Sequence, residues 1–160
     1  MGHPNTKFNA LKHTLQMFIG QLPPNARYQV ISYGQDFEWL GRRKLMLEHN
    51  LHNAEATKEE ISKFTYSMGA SIAFAPLEDI FSLDINQGQK QRIFLLTDGA
   101  IEQQMETIDL IKKGCRRSTD TRVFTVGIGD DADQFFIENA AVAGKGSSVY
   151  VRQNNLDKLK

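Results

Sequence analysis

Two apolar runs do most to constrain how this 160-residue chain can fold. Arg92 to Thr97 reads RIFLLT and stops at Asp98-Gly99, and Arg122 to Val126 reads RVFTV and stops at Gly127-Ile128-Gly129-Asp130. Neither run alternates apolar with polar residues, so each suits a strand covered on both faces, as in a parallel sheet. A helical stripe follows each one. Ile101, Met105, Ile108 and Ile111 follow the first, and Phe135, Phe136, Ile137, Ala140 and Val142 follow the second. Ser148 to Arg152 reads as a last strand. Strands alternating with helices of this length predict an α/β sandwich around a mostly parallel sheet, the helices serving as right-handed crossovers.

The amino-terminal half extends the pattern. Phe8, Leu11, Leu15, Phe18, Ile19 and Leu22 form one helical face, with Asn5 as N-cap and Pro23-Pro24-Asn25 as the stop. Arg27 to Tyr33 reads as a strand, and Phe37 to Leu40 as a short antiparallel partner across the Gly34-Gln35-Asp36 turn. Residues 41–56 read as polar and irregular, and Thr57-Lys58-Glu59-Glu60 as a capping box opening a short helix with Ile61 and Phe64. A small-residue turn at 67–71 leads into a helix with Phe74, Leu77, Ile80 and Phe81 on its apolar face, ended by Asn86-Gln87-Gly88. No linker or repeat interrupts the chain, so residues 1–160 read as one domain.

Composition excludes several classes. Lys+Arg and Asp+Glu each number 19, so a whole-protein electrostatic grip on nucleic acid or an anionic membrane is not indicated, and only a local patch would survive the averaging. One cysteine, Cys115, rules out an internal disulfide and a Cys-based zinc cluster, and no His pair stands in an H-E-x-x-H frame. The start, Met1-Gly2-His3-Pro4, is not a secretory leader, and with no cysteine pairs it sets a cytoplasmic expectation.

Sites in open parallel sheets lie beyond the carboxyl ends of the strands. Ser71, Asp98 and the 127–130 loop map there. Asp98 suits a hard cation or a general base, and equally the N-cap of the helix that follows. Ser71 is a metal hydroxyl or a plain helix cap. The Gly127-x-Gly129 turn lacks the phosphate-binding pattern, and its Asp130 and Asp131 read as helix caps. Cys115 continues an apolar stripe and reads as a buried thiol. Lys112-Lys113 and Arg116-Arg117 make a basic helix end suited to the helix dipole, with a solvated face as the default reading. Trp39 reads as a partner anchor or a core residue. No catalytic constellation or cofactor loop emerges, which points away from an enzyme.

Five stretches in order resemble the von Willebrand factor type A domain, most closely the branch found beside inter-α-trypsin-inhibitor-type VIT domains. They are LKHTLQMFIGQLP (11–23), YQVISYGQDF (28–37), MGASIAFAPL (68–77), QRIFLLTDG (91–99) and RVFTVGIG (122–129). The resemblance implies a three-layer Rossmann-like sandwich, mostly parallel with one antiparallel edge strand. It also implies a protein-binding module that holds Mg²⁺ or a similar cation, its coordination completed by an acidic side chain of the partner. Asp98 matches the Asp of the family's T-D-G strand end, and Ser71 matches the Thr of its Gly-Gly-Thr-type turn. Gly69, Ala70, Gly99 and Asp130 would rim the partner surface, Gly99 allowing close backbone approach. The family's D-x-S-x-S metal loop and first central strand have no counterpart here, which sets the expectation of an N-terminally truncated domain with an incomplete metal site. The alternatives are a small α/β hydrolase using Asp98 and a metal-independent scaffold.

Overall fold

The computed structural model describes residues 4–65, 71–84, 88–118 and 120–152. The chain divides into two units, Met1–Gly69 and Ala70–Lys160.

In the first unit, α1 (Pro4–Gly20) starts one residue before Asn5, so Asn5 lies inside the helix and is not its cap. Proline at a first helical position is favoured because its φ is already helical. The expected 27–33 strand is broken. β1 (Arg27–Tyr28) pairs antiparallel with β4 (Leu47–Glu48), whereas β2 (Ile31–Tyr33) pairs antiparallel with β3 (Phe37–Trp39) across the predicted turn. The break has a polar cause. Gln29 turns its side chain onto the backbone, accepting from the Val30 N–H at 2.8 Å and donating to the carbonyls of Arg43 (3.0 Å) and Leu45 (2.8 Å).

α2 (Leu51–Ser62) begins six residues before the predicted Thr57 start. Asn50 is the cap, accepting from the Asn53 N–H at 2.9 Å. Thr57 sits buried in mid-helix, its hydroxyl 2.8 Å from that of Tyr28. Ile19, Tyr28, Val30, Ala54 and Ile61 form this unit's core. Trp39 is buried, which decides for the core reading and against the partner anchor.

The second unit runs α3 (Phe74–Phe81), β5 (Gln91–Thr97), α4 (Gln104–Arg117), β6 (Thr121–Ile128), α5 (Gln134–Ala143) and β7 (Ser148–Val151). β5, β6 and β7 form a parallel sheet in that order, with Gln91 opposite Thr121 and Thr97 opposite Gly127. This is the predicted α/β alternation. α3 ends at Phe81, before the Asn86-Gln87-Gly88 stop, of which Asn86 and Gln87 lie outside the described residues. Val123, Thr125, Ile128, Phe136 and Ile137 are fully buried or nearly so. The turn after α5 packs so closely on β6 that a β-carbon at Gly146 would collide with the Val123 carbonyl.

β5 corrects one expectation. Ile93, Leu95 and Thr97 are buried, but Arg92 and Phe94 on the other face are exposed. Phe94 and Phe124 stack on each other with ring centroids 5.1 Å apart. Two aromatic rings covering one another read in sequence like core residues, which is why the run shows no alternation.

Candidate functional site

The carboxyl ends of β5 and β6 form one edge of the second unit's sheet. Asp98 follows Thr97 directly and is half-buried. The Thr97 hydroxyl bonds to the backbone of Gly99, at 3.3 Å to its carbonyl and 3.5 Å to its N–H, which fixes the turn that presents Asp98. Ser71, also half-buried, stands three residues before α3. Its carbonyl accepts from the Glu102 N–H at 3.0 Å. The Ser71 backbone is therefore tied to the loop carrying Asp98. Within that loop Gln103 holds a left-handed conformation, φ +54°, a strained geometry for a residue with a β-carbon.

Neither side chain has the capping role that sequence left open. Gln103, five positions beyond Asp98, stands at the N-cap position of α4 and Ala73 at that of α3, neither with a side-chain cap bond. Among the described residues, the Asp98 carboxylate and the Ser71 hydroxyl make no hydrogen bond or ion pair. Two half-buried oxygens, on segments joined by that bond, thus carry no structural work among the described residues.

The rest of the rim is more fully committed. Asp130 is exposed on the loop after β6, where Gly129 (φ +85°) donates its N–H to the Val151 carbonyl at 2.8 Å. The cap of α5 is Asp133, accepting from the Phe136 N–H at 2.9 Å, and not Asp130 or Asp131. The other Asp133 oxygen accepts from the Gln104 side chain, joining the starts of α4 and α5. Sequence reasoning missed this tie, although an Asp three residues before Phe136 carries the capping spacing. Tyr150 donates its hydroxyl to the Gln134 carbonyl at 3.3 Å. Burial first, then the Glu138 and Asp133 carboxylates, push its ionisation upward. A β-carbon at Gly99 would meet nothing within 4 Å among the described residues, so their packing does not require glycine there. Gly69 and Ala70 lie outside the described residues.

Among the described residues, no group of three or more His, Cys, Asp or Glu is placed to hold a metal ion. Asp98 and Ser71 supply one carboxylate and one hydroxyl. Mg²⁺ demands near-octahedral geometry and gives up water reluctantly, so these two alone do not fit a tight site.

Comparison with known proteins covers nearly the whole chain. Residues 2–150 match the von Willebrand factor type A domain family. A von Willebrand factor A domain-containing protein of Dictyostelium discoideum is 25% identical over 150 residues, which is 92% of this chain and 16% of that relative. The chain therefore spans about a sixth of the length of such curated relatives. A von Willebrand factor type A structure from Catenulispora acidiphila superposes with a TM-score of 0.81 at 20% identity, covering 97% of this chain and 37% of that one. The manganese-loaded Plasmodium vivax TRAP protein superposes with a TM-score of 0.75 at 20% identity, covering 99% and 66%.

Proposed function

We propose, because the chain belongs to the von Willebrand factor type A domain family, that Ser71 and Asp98 are part of a divalent-cation site through which the parent protein grips an acidic group of a protein partner. The family is one of protein-interaction modules, and this reading assigns the chain no enzymatic step. One observation carries it. The two side chains that sequence nominates as ligands are both left without capping work, on segments joined by the Glu102–Ser71 hydrogen bond. A structural relative holds manganese, and a cation of that kind would polarise a partner carboxylate. This chain's residues would supply one charge from Asp98 and one neutral oxygen from Ser71. The remaining ligands, on this reading, belong to a D-x-S-x-S loop and first strand upstream of the present Met1, and the parent carries a neighbouring VIT domain.

Calorimetric titration with MgCl₂ and MnCl₂ tests this. The 160-residue chain is expected to bind weakly. A longer chain with the upstream loop is expected to bind tightly and stoichiometrically, and to lose that binding in Asp98→Ala. Tight binding by the short chain, or an Asp98→Ala change that leaves the longer chain's affinity intact, overturns the proposal. Pull-downs with and without EDTA separate it from a metal-independent scaffold, for which chelation changes nothing.

A further inference from the structure

The opposite end of the second unit's sheet carries a separate feature. α4 joins the carboxyl end of β5 to the amino end of the parallel β6, so its last turns lie at the edge away from Asp98. Lys112, Lys113, Arg116 and Arg117 occupy those turns, and all four are exposed. At about 100° per residue they fall within an arc of roughly 140°, one continuous face. The opposite face carries buried Ile111, Gly114 and Cys115. Lys145 reaches the same end, its Nζ donating to the Cys115 carbonyl at 3.0 Å.

Two observations separate this face from an ordinary solvated one. Among the described residues, none of Lys112, Lys113, Arg116 and Arg117 makes an ion pair or hydrogen bond through its side chain. An internal partner is at hand, because Asp109 stands three residues before Lys112 and four before Lys113. On α2 the same spacing is used, with Lys58 bridging Glu55 at 2.8 Å and Lys63 bridging Glu60. The helix dipole rewards cations in the last turn, but its reach ends there, and Lys112 and Lys113 lie above it. A chain whose charges sum to zero thus concentrates four unengaged cations on half of one helix.

We infer that the carboxyl-terminal half of α4 is a second docking surface, one that takes a protein segment bearing a short run of Asp and Glu. The inference goes beyond the metal-site reading and uses none of its residues. Residues 112–117 span roughly 8 Å of helix, the length of two or three residues of extended chain. The two arginines match carboxylates through paired N–H donors. Nucleic acid or a charged bilayer draws its affinity from many phosphate contacts at once, and four cations on about 8 Å of helix, in a chain of zero formal net charge, supply few of them. With one partner at the Asp98 edge and another at the basic end, α4 would stand between two ligands about 20 Å apart.

The probe is a fluorescein-labelled hexa-aspartate peptide, followed by anisotropy with the whole chain at low and at physiological salt. Binding that weakens with salt is expected. Lys112→Ala/Lys113→Ala/Arg116→Ala/Arg117→Ala is expected to weaken it about tenfold or more, and each double variant about threefold. Far-UV circular dichroism checks that the helix persists. Arg27→Ala/Arg43→Ala, which removes two exposed cations of the first unit, is expected to leave binding unchanged, as are EDTA and Asp98→Ala. The last two arms keep a failure here distinct from a failure of the metal site. Equal binding by the wild-type chain and all the α4 variants overturns the inference. So does competition by oligothymidylate or phosphatidylserine vesicles at lower charge concentration than free hexa-aspartate.

Discussion

The two units lean on polar side chains to different degrees. In Met1–Gly69 several of them tie one element to another. Lys12 donates to the carbonyls of Ser62 and Phe64 at 3.2 Å each, Gln16 to that of Lys58 at 2.9 Å, and Gln29 to those of Arg43 and Leu45. Arg42, Lys58 and Lys63 are all paired with glutamates. The strands there are two or three residues long, so little ladder is available and side chains hold what backbone pairing does not. In Ala70–Lys160 a seven-residue parallel register and a buried sheet face do that work. Among the described residues, the side chains of Ser71, Asp98 and the basic end of α4 take no part in it. Freedom from structural duty marks where function is to be sought.

The largest expected effect tests the packing side of the contrast. Gly146→Ala drives a β-carbon into the carbonyl of Val123, a backbone atom that cannot step aside. It is expected to cost about 3 kcal/mol, measured by urea unfolding. Gly99→Ala, which adds the same atom in open space, is expected to leave stability within about 0.5 kcal/mol. If the two substitutions cost the same, close packing is not what sets the second unit apart.

Caps come next. Asn50 and Asp133 each accept an N–H at 2.9 Å at the start of α2 and α5. Asn50→Ala and Asp133→Ala are each expected to cost about 1 kcal/mol. Asp133→Ala should also loosen the start of α4, since it strands the Gln104 amide, and hydrogen exchange at Thr107 and its neighbours would report that.

How much of this was legible without coordinates depended on the physics that placed each residue. The strands ending at Thr97 and Ile128 were readable because burial writes itself as an apolar run. The positions of Asp98 at a strand end and of Ser71 just before a helix were readable because those runs set the elements on either side. Thr57 misled. T-x-x-E has the spacing of a cap, but Asn50 offers one earlier, and the hydroxyl is better used against Tyr28 in the core. The split of the 27–33 strand was not legible, because it depends on Gln29 reaching carbonyls fourteen and sixteen positions away. The α4 cations read from sequence as a solvated face, and among the described residues neither they nor Asp109 make a side-chain pair.

A smaller effect follows from Cys115, fully buried in α4. Burial pushes its thiol ionisation up, and the nearby Lys145 and Arg122 charges oppose that only in part. The sign follows from linkage. A folded pKa above the unfolded one means the folded state holds the proton more tightly. The stabilisation is fully present below the unfolded thiol pKa, about 8.5, and is lost as pH rises through the folded value. Unfolding free energy is therefore expected to fall with alkali, and Cys115→Ala to flatten that slope while lowering stability at neutral pH. An unchanged slope would mean the thiol is not shielded in the folded state.

The smallest effect is the most informative about function. A carboxylate that caps a helix or closes an ion pair costs stability when removed, whereas one held for a ligand does not. Asp98 bonds to nothing among the described residues, while Asp133 at the same sheet edge holds both an N–H and an amide. Asp98→Ala is therefore expected to change unfolding free energy by less than about 0.5 kcal/mol, against about 1 kcal/mol lost in Asp133→Ala. Adding Mn²⁺ to a longer chain that carries the upstream loop should raise the wild-type melting temperature and leave that of Asp98→Ala where it was, since a ligand stabilises only the state that binds it. A destabilised Asp98→Ala chain would show that the carboxylate serves the fold after all, and the contrast between working and waiting groups would then fail at the residue on which it rests most heavily.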